Sequence, residues 1–324
     1  MNPKLENRKK LILKFGKGLL IGSFLTILSC TFLVNLWAAA EAGEKGPLKI
    51  FVSIPPQKFF VKALGGDHVA VSVLVGSGQS PHTYEVTPRQ MAELGRTDVY
   101  FSIGVDFERT WLGKIQAVNP KLKLVAMDQN LKKLKMTVTH AHDNKSHSGF
   151  SDSDKNQEGD DQARSDPHVW LSPSLVKEMA LVIFETLTDA LPEYTNDFQA
   201  NLKAFQTEMT NLDMELNNIL KSLKNRSFLV YHPAWGYFAH EYGLTQVAIE
   251  IEGKEPGAKS LHKVIQEVKE KGSKVIFVQR GFSPRSASAV ARATGGRVVF
   301  LDSMAEDYIN NMKKTAEALL EGQK

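Results

Sequence analysis

The stretch PEYTNDFQANLKAFQTEMTNLDMELNNILKSLK, residues 192–224, decides how the chain is organised. Its apolar residues recur at steps of three and four, the spacing of one face of an α-helix. This stripe consists of Tyr194, Phe198, Leu202, Phe205, Met209, Leu212, Leu216, Ile219 and Leu223. A helix of this length measures roughly 45–50 Å at about 1.5 Å per residue. Two interpretations stay open: a stiff strut that joins two lobes, or a surface helix that serves one lobe.

On both sides of this helix, short apolar segments alternate with amphipathic ones, as in α/β lobes with largely parallel sheets. The expected strands are Ile50–Ser53, Val71–Val75, Val99–Ser102 and Leu122–Met127 before it, and Phe228–Tyr231, Gln246–Ile249, Lys274–Val278 and Val298–Leu301 after it. The pattern predicts an α/β fold of two lobes, each with a mostly parallel sheet flanked by helices, joined by the long helix. The predicted ranges are an N-terminal lobe (residues 43–191), a linking helix (192–224) and a C-terminal lobe (225–324).

Residues 140–165 interrupt the pattern of the N-terminal lobe. They contain His140, His142 and His147 among Asp, Ser, Asn, Gly and Gln, with almost no apolar residue except Phe150. A segment of this composition cannot bury a core, so we expect a mobile polar loop.

The first 42 residues have the layout of an export signal. A basic segment ends near Lys17, an apolar run extends from Leu19 to Trp37, and AAAEA (residues 38–42) offers small-residue cleavage sites. The apolar run is nearly long enough to cross a bilayer, so an uncleaved membrane anchor is the alternative.

The single cysteine, Cys30, lies inside this export segment. ILSC (residues 27–30) resembles a lipoprotein box, although Leu28 is larger than that pattern prefers and the chain stays apolar after Cys30. Lipidation of Cys30 therefore stays an open alternative. A lone cysteine excludes an internal disulfide framework and any multi-cysteine zinc or iron–sulfur site.

The positive net charge of the chain also belongs to the export segment. The chain has 40 Lys and Arg against 36 Asp and Glu, and the first 42 residues hold six basic and two acidic ones. The remainder is therefore balanced, with 34 residues of each sign. Because no basic stripe remains, the sequence argues against a nucleic-acid partner.

Of nine histidines, three stand between an extended segment and a helix. His82 lies in SPHTYE, His168 in DPHVWLSP and His232 in YHPAWG, and Asp302 directly follows the last predicted strand. Because ligands collect at the carboxyl ends of strands in α/β lobes, these four side chains are candidates for one site.

Three imidazoles and one carboxylate suit a divalent transition metal, and zinc accepts four nitrogen or oxygen donors in a tetrahedron. The motif His-Glu-x-x-His of metalloproteases is incomplete at His240-Glu241, because Leu244 stands where the second histidine would be. Spacing alone leaves the alternative that each histidine is a surface or structural residue.

The same segments carry a family resemblance. PHTYE followed by TP (residues 81–88), DPHVWL (166–171), HPAWGY (232–237) and LD (301–302) occur in an order that resembles the zinc/manganese solute-binding proteins of bacterial ABC metal importers. The residues from Gly104 through Glu108 to Leu112 resemble another shared segment. The resemblance covers nearly the whole mature chain and is closest to the zinc-type, helix-linked members.

This resemblance implies a two-lobe metal receptor whose rigid helix joins the lobes and whose metal ligands are His82, His168, His232 and Asp302. It implies a periplasmic or extracytoplasmic protein with a signal peptide, which binds Zn²⁺ and delivers it to the membrane permease of an ABC importer. It also implies a monomer that is not an enzyme.

The resemblance leaves two alternatives. His232 stands where manganese-type members often have a carboxylate, so zinc is favoured and Mn²⁺ stays the alternative metal. A secreted zinc hydrolase, with Glu85 as the carboxylate nearest to His82 in sequence, is the alternative from another class.

Two further features bear on the resemblance. The loop with His140, His142 and His147 resembles the histidine- and acid-rich loop of zinc-type members, and either gathers zinc weakly or leaves affinity unchanged. Gln279-Arg280-Gly281 departs from the family pattern, which commonly has a glutamate after this strand, and the departure puts a supporting role at this position in doubt.

Overall fold

Two parallel four-stranded sheets organise the computed structural model, which describes residues 46–76, 78–136, 165–250, 257–271, 275–279 and 285–323. The N-terminal sheet has the order β2-β1-β3-β4, with β1 at Leu48–Val52, β2 at Val69–Val73, β3 at Val99–Ser102 and β4 at Lys123–Ala126. The C-terminal sheet repeats this arrangement as β6-β5-β7-β8, with β5 at Ser227–Val230, β6 at Thr245–Ala248, β7 at Val275–Gln279 and β8 at Arg297–Leu301. The predicted fold class is confirmed.

Helices connect and flank these strands. Those of the N-terminal lobe are α1 (Pro55–Gly65), α2 (Pro88–Leu94), α3 (Asp106–Val118) and α4 (Pro173–Ala190), and the linking helix is α5 (Thr195–Leu220). Those of the C-terminal lobe are α6 (Gly236–Glu241), α7 (Ala258–Lys271), α8 (Arg285–Thr294) and α9 (Tyr308–Glu321). Local signals begin two of them: Thr87 and Ser172 accept hydrogen bonds from the backbone N–H groups of Gln90 and Leu175, and a proline follows each cap.

The strand registers bring the carboxyl ends of each sheet to one edge. Val52 lies beside Val73 of β2 and Phe101 of β3, and Val230 lies beside Phe277 of β7. In both sheets the first strand in sequence lies in the interior, between the second strand on one side and the third strand on the other. The strand order therefore reverses direction next to this first strand. Such a switch point opens a crevice outside the carboxyl ends, where α/β proteins bind ligands.

The linking helix is shorter than the sequence predicted. It spans 26 residues, roughly 39 Å, and a 3₁₀ turn at Pro192–Tyr194 precedes it. At its end, Leu223 N donates to Leu220 O, and Arg226 Nη1 also donates to Leu220 O at 2.8 Å. Both contacts satisfy the carbonyl group of Leu220, where the helix ends, so the predicted apolar stripe overran the helix at both ends.

Helix α5 contacts both lobes. Asn201 Nδ2 donates to Leu64 O of α1 at 2.9 Å, whereas Glu215 forms an ion pair with Lys313 of α9 at 2.7 Å. Phe205 lies 5.9 and 6.0 Å from the rings of Phe59 and Phe60. The helix therefore joins the lobes as a strut, and the interpretation as a surface helix of one lobe is wrong.

The remaining predictions have mixed outcomes. Helix α3 was not predicted as a helix. The export segment 1–42 with Cys30, and the histidines of the 140–165 loop, lie outside the described residues, and the lobe boundaries stay predictions. Within the described ranges, no helix combines the length and the hydropathy needed to cross a bilayer.

A buried carboxyl group ties the ends of β1 and β3 together. Glu108 of α3 accepts hydrogen bonds from Ile103 N at 3.0 Å and Gly104 N at 2.8 Å, and Ser53 Oγ donates to its Oε1. Ser53 Oγ also lies 2.7 Å from Tyr100 Oη. Burial raises the pKa of Glu108 to about 7, and the hydrogen bonds oppose that shift only in part.

We expect this carboxyl group to make stability depend on pH. Its folded-state pKa lies above the unfolded value, so its contribution to the free energy of unfolding is complete below about pH 4.5 and is lost as the pH rises through 7. Glu108→Gln keeps a carbonyl acceptor but cannot ionise. Between pH 5 and pH 8, the stability of the wild type relative to Glu108→Gln should fall by about 1–3 kcal/mol in urea unfolding.

Glu93→Gln is the control, because Glu93 is exposed and pairs with Arg89 on the surface. Its difference from the wild type should stay constant across the same pH range. Parallel stability curves for the wild type and Glu108→Gln would contradict the assignment.

Candidate metal centre

Three loops at the carboxyl edges of the sheets present the predicted histidines. His82 lies between β2 and α2, His168 precedes a 3₁₀ turn at Val169–Leu171, and His232 lies two residues beyond β5. Each histidine is next to a proline in the sequence. Because proline restricts its own backbone and that of the preceding residue, it stiffens the loops that carry these side chains.

The three imidazoles converge. His82 Nε2 lies 3.1 Å from His232 Nε2, and His232 Nε2 lies 3.3 Å from His168 Nε2. Possible ligand atoms of all three lie within 4.8 Å of one another. Two nitrogens bound to one tetrahedral zinc ion at about 2.0–2.1 Å lie roughly 3.3 Å apart. The observed spacing is therefore that of ligands around a single small ion.

Each histidine contacts a carboxylate through its other ring nitrogen. Nδ1 of His82 lies 2.6 Å from Asp106 Oδ2, and Nδ1 of His168 lies 2.7 Å from Asp166 Oδ1. Nδ1 of His232 lies 2.5 Å from Glu250 Oε1. Such a carboxylate holds the proton on Nδ1 and leaves the Nε2 lone pair for a metal.

None of these three carboxylates was predicted from the sequence. Asp166 is two residues from His168, so the pair was open to detection locally. Glu250 follows β6 by the same rule that singled out Asp302 after β8. Asp106 lies 24 residues from His82 and belongs to the unpredicted helix α3.

Burial keeps the central imidazole neutral. His168 and His232 are buried, whereas the side chain of His82 is 24% exposed. Desolvation lowers the pKa of His232 to about 4, although its hydrogen bond to Glu250 opposes the shift. At neutral pH the imidazole of His232 is therefore uncharged.

Asp302 lies on the wall of the same cavity. This cavity is about 20 Å³ in volume, and the three histidines, Trp170, Asp302 and Met304 contribute to its lining. Asp302 Oδ1 accepts a hydrogen bond from Met304 N at 2.9 Å. Asp302 is not part of the group of ligand atoms within 4.8 Å, so its role as fourth ligand stays a prediction.

Gln279 supports His232 despite its departure from the family pattern. Its Nε2 donates to His232 O at 2.7 Å, and its Oε1 accepts from His232 N at 3.3 Å. The side chain is buried at the end of β7. An amide holds the backbone of His232 from both sides here, which a carboxylate without a proton could not do, since it only accepts.

Two other residues lie apart from the centre. His68 Nε2 lies 3.2 Å from Asp197, and its ring stacks on Tyr194 with 3.8 Å between centroids. Glu85, the carboxylate that the hydrolase alternative would use, is exposed and is not among the residues that line the cavity.

Comparison with known proteins agrees with this arrangement. The sequence profile of ZnuA, described as zinc-uptake complex component A, periplasmic, matches residues 50–322. A crystal structure of ZnuA is 38% identical, with a TM-score of 0.77 over 86% of this chain and 100% of that one. A ZnuA deletion mutant with zinc bound is also 38% identical, with a TM-score of 0.75 over 85% of this chain and 98% of that one.

A curated relative has a longer chain. The zinc-binding protein AdcA of Streptococcus pyogenes (serotype M3) is 27% identical over 309 residues, which cover 91% of this chain and 60% of AdcA. The match to AdcA thus spans about 60% of that protein's length. Since the profile match extends from the first strand to the last helix, and three imidazoles converge between the lobes, the chain belongs to the ZnuA family.

Proposed function

We propose that the protein is an extracytoplasmic receptor that binds one Zn²⁺ between its lobes and delivers it to the membrane permease of an ABC importer. The convergence of three Nε2 atoms at 3.1–3.3 Å carries this proposal. Membership of the periplasmic zinc-uptake family supports the transport role. In this proposal Zn²⁺ is the cargo, and His82, His168 and His232 are its ligands.

The donor set favours zinc over manganese. Zinc accepts imidazole nitrogen readily, whereas manganese suits carboxylate, carbonyl and water oxygens. The cavity presents three imidazoles, and the three carboxylates nearest to them contact Nδ1 rather than the centre of the group. A manganese receptor would need a harder, oxygen-rich set of donors.

The ligands come from both sides of the linking helix. His82 and His168 precede α5, whereas His232 and Asp302 follow it. A bound ion therefore connects the two lobes, and its release requires these ligands to separate. In this proposal the permease separates them by engaging both lobes.

Transport rather than catalysis fits the surroundings of the centre. A zinc hydrolase needs an open coordination position and a general base close to a metal-bound water. Glu85 is exposed and does not line the cavity, and Asp106, Asp166 and Glu250 already contact the histidines. We propose that the protein is not an enzyme, acts as a monomer and reaches its compartment through the export segment at residues 1–42.

Isothermal titration of the purified protein with Zn²⁺ should give one tight site per chain. His232→Ala should weaken zinc binding by about 100-fold or more. Loss of a residue that only hydrogen-bonds a metal ligand lowers metal affinity by roughly 10–100-fold, and loss of a ligand itself lowers it further. His240→Ala is the control, because His240 is exposed on α6. Equal affinities of His232→Ala and the wild type would refute the site.

Metal competition tests the choice of ion. When Mn²⁺ is added in about 100-fold excess to the zinc-bound protein, it should displace less than a tenth of the zinc. The reason is that nitrogen donors bind Zn²⁺ more tightly than Mn²⁺. Zinc release is followed with a chromophoric chelator. Extensive displacement by Mn²⁺ would instead identify a manganese receptor.

Asp302 is the predicted fourth ligand. If its carboxylate completes the shell, Asp302→Asn should weaken zinc binding by about 10-fold or more and change the visible absorption of the Co²⁺-substituted protein. Asp307→Asn is the control, since Asp307 follows the same strand and contacts Asn310. Unchanged affinity and spectrum in Asp302→Asn would exclude Asp302 from the shell.

A further inference from the structure

We propose that Tyr237 is a positioning residue for zinc capture: it holds Asp166, which orients His168, so that one segment of the C-terminal lobe supports both His168 and His232. The inference rests on the proposed function, because it assigns a role in binding to a residue that does not touch the ion. The segment is defined as residues 232–237.

Asp166 is the point at which this support acts on His168. Its Oδ1 accepts from the backbone N–H of His168 at 2.9 Å and lies 2.7 Å from His168 Nδ1. Its own N–H donates to Leu134 O at 2.8 Å. The direction of the His168 ring therefore follows from the position of the Asp166 backbone.

Tyr237 fixes that backbone from the other lobe. Its hydroxyl donates to Asp166 O at 3.0 Å and accepts from Leu134 N at 2.9 Å. One buried hydroxyl thus satisfies two backbone groups of the N-terminal lobe. Burial raises the pKa of Tyr237 to about 12, so the hydroxyl keeps its proton at neutral pH.

Gly236 brings the same segment against the carboxylate of Asp166. A Cβ atom at this position would lie 2.4 Å from Asp166 Oδ2, closer than van der Waals contact permits. Only a glycine therefore lets the segment and the carboxylate approach this closely. This contact is independent of the Tyr237 hydroxyl, and both act on Asp166.

Two glutamines brace the segment where it carries His232. Gln279 binds both backbone groups of His232, as described above. Gln246 Oε1 accepts from Trp235 N at 3.0 Å, and its Nε2 donates to Pro233 O at 3.3 Å. His232 and the Tyr237 hydroxyl therefore belong to one braced segment. This segment supports both His232 and His168, whose Nε2 atoms lie 3.3 Å apart.

The test compares two tyrosine variants, Tyr237→Phe and Tyr242→Phe. Tyr242 directly follows α6, and its hydroxyl donates to Asp213 of the linking helix at 2.9 Å. Each variant loses one buried hydroxyl, and both should lower the melting temperature of the zinc-free protein. Tyr237→Phe alone should weaken zinc binding, by about 10-fold, and change the visible spectrum of the Co²⁺-substituted protein.

Gly236→Ala is the second route to the same result, because its Cβ displaces the Asp166 carboxylate. Its control is Gly113→Ala on α3, where an added Cβ meets no atom within 4 Å. We expect weaker zinc binding in Gly236→Ala and wild-type binding in Gly113→Ala. This comparison decides the matter if Tyr237→Phe does not fold.

The outcomes separate this proposal from the proposed function. Wild-type zinc affinity and an unchanged Co²⁺ spectrum in Tyr237→Phe or in Gly236→Ala would overturn the positioning role and leave the zinc receptor intact. Equal losses in Tyr237→Phe and Tyr242→Phe would also overturn it. Failure of the wild type to bind Zn²⁺ would overturn the proposed function itself.

Discussion

Burial of one face of α5 against helices of both lobes is the constraint on which the metal centre depends. Phe205 packs on Phe59 and Phe60 of α1, and the same two rings contact Tyr308 of α9. Close-packed interiors transmit small displacements, because their side chains have little free space. Imidazoles from opposite lobes can lie 3.1 Å apart only if the lobes are held in a fixed relative position. The core that both lobes share with α5 holds them there.

The centre combines three imidazoles with a surrounding layer of carboxylates. Burial lowers the pKa of His232, so metal binding at neutral pH need not first remove a proton from it. Asp106, Asp166 and Glu250 direct the three Nε2 atoms inward. These outer contacts determine the orientation of the rings as much as the histidine loops do. Tyr237 extends this support across the lobes, which makes the segment around His232 part of the site of His168.

Prediction from sequence succeeded where the physical signal is local. The strand Val99–Ser102 was predicted with its observed bounds, and side-chain caps at Thr87 and Ser172 are local signals of the same kind. The linking helix was predicted too long, because the apolar periodicity of the sequence continues beyond both ends of the helix. It continues into a 3₁₀ turn at the start and into a final turn whose hydrogen bonds are not those of an α-helix. Helix α3 was missed although Phe107, Trp111, Ile115 and Val118 recur at steps of four, four and three, the period of one helix face.

By itself, the sequence determined the order of the strands, the long helix between the two lobes and the three histidines that meet at the centre. Those properties follow from hydrophobic period, proline and glycine positions, and the rule that ligands lie at strand ends. Only the tertiary structure decided which carboxylate contacts each histidine and which backbone groups the Tyr237 hydroxyl binds. His82 and His232 are 150 residues apart, and Tyr237 is 71 residues from Asp166. No local pattern encodes such contacts, because they exist only after both lobes have packed on the linking helix.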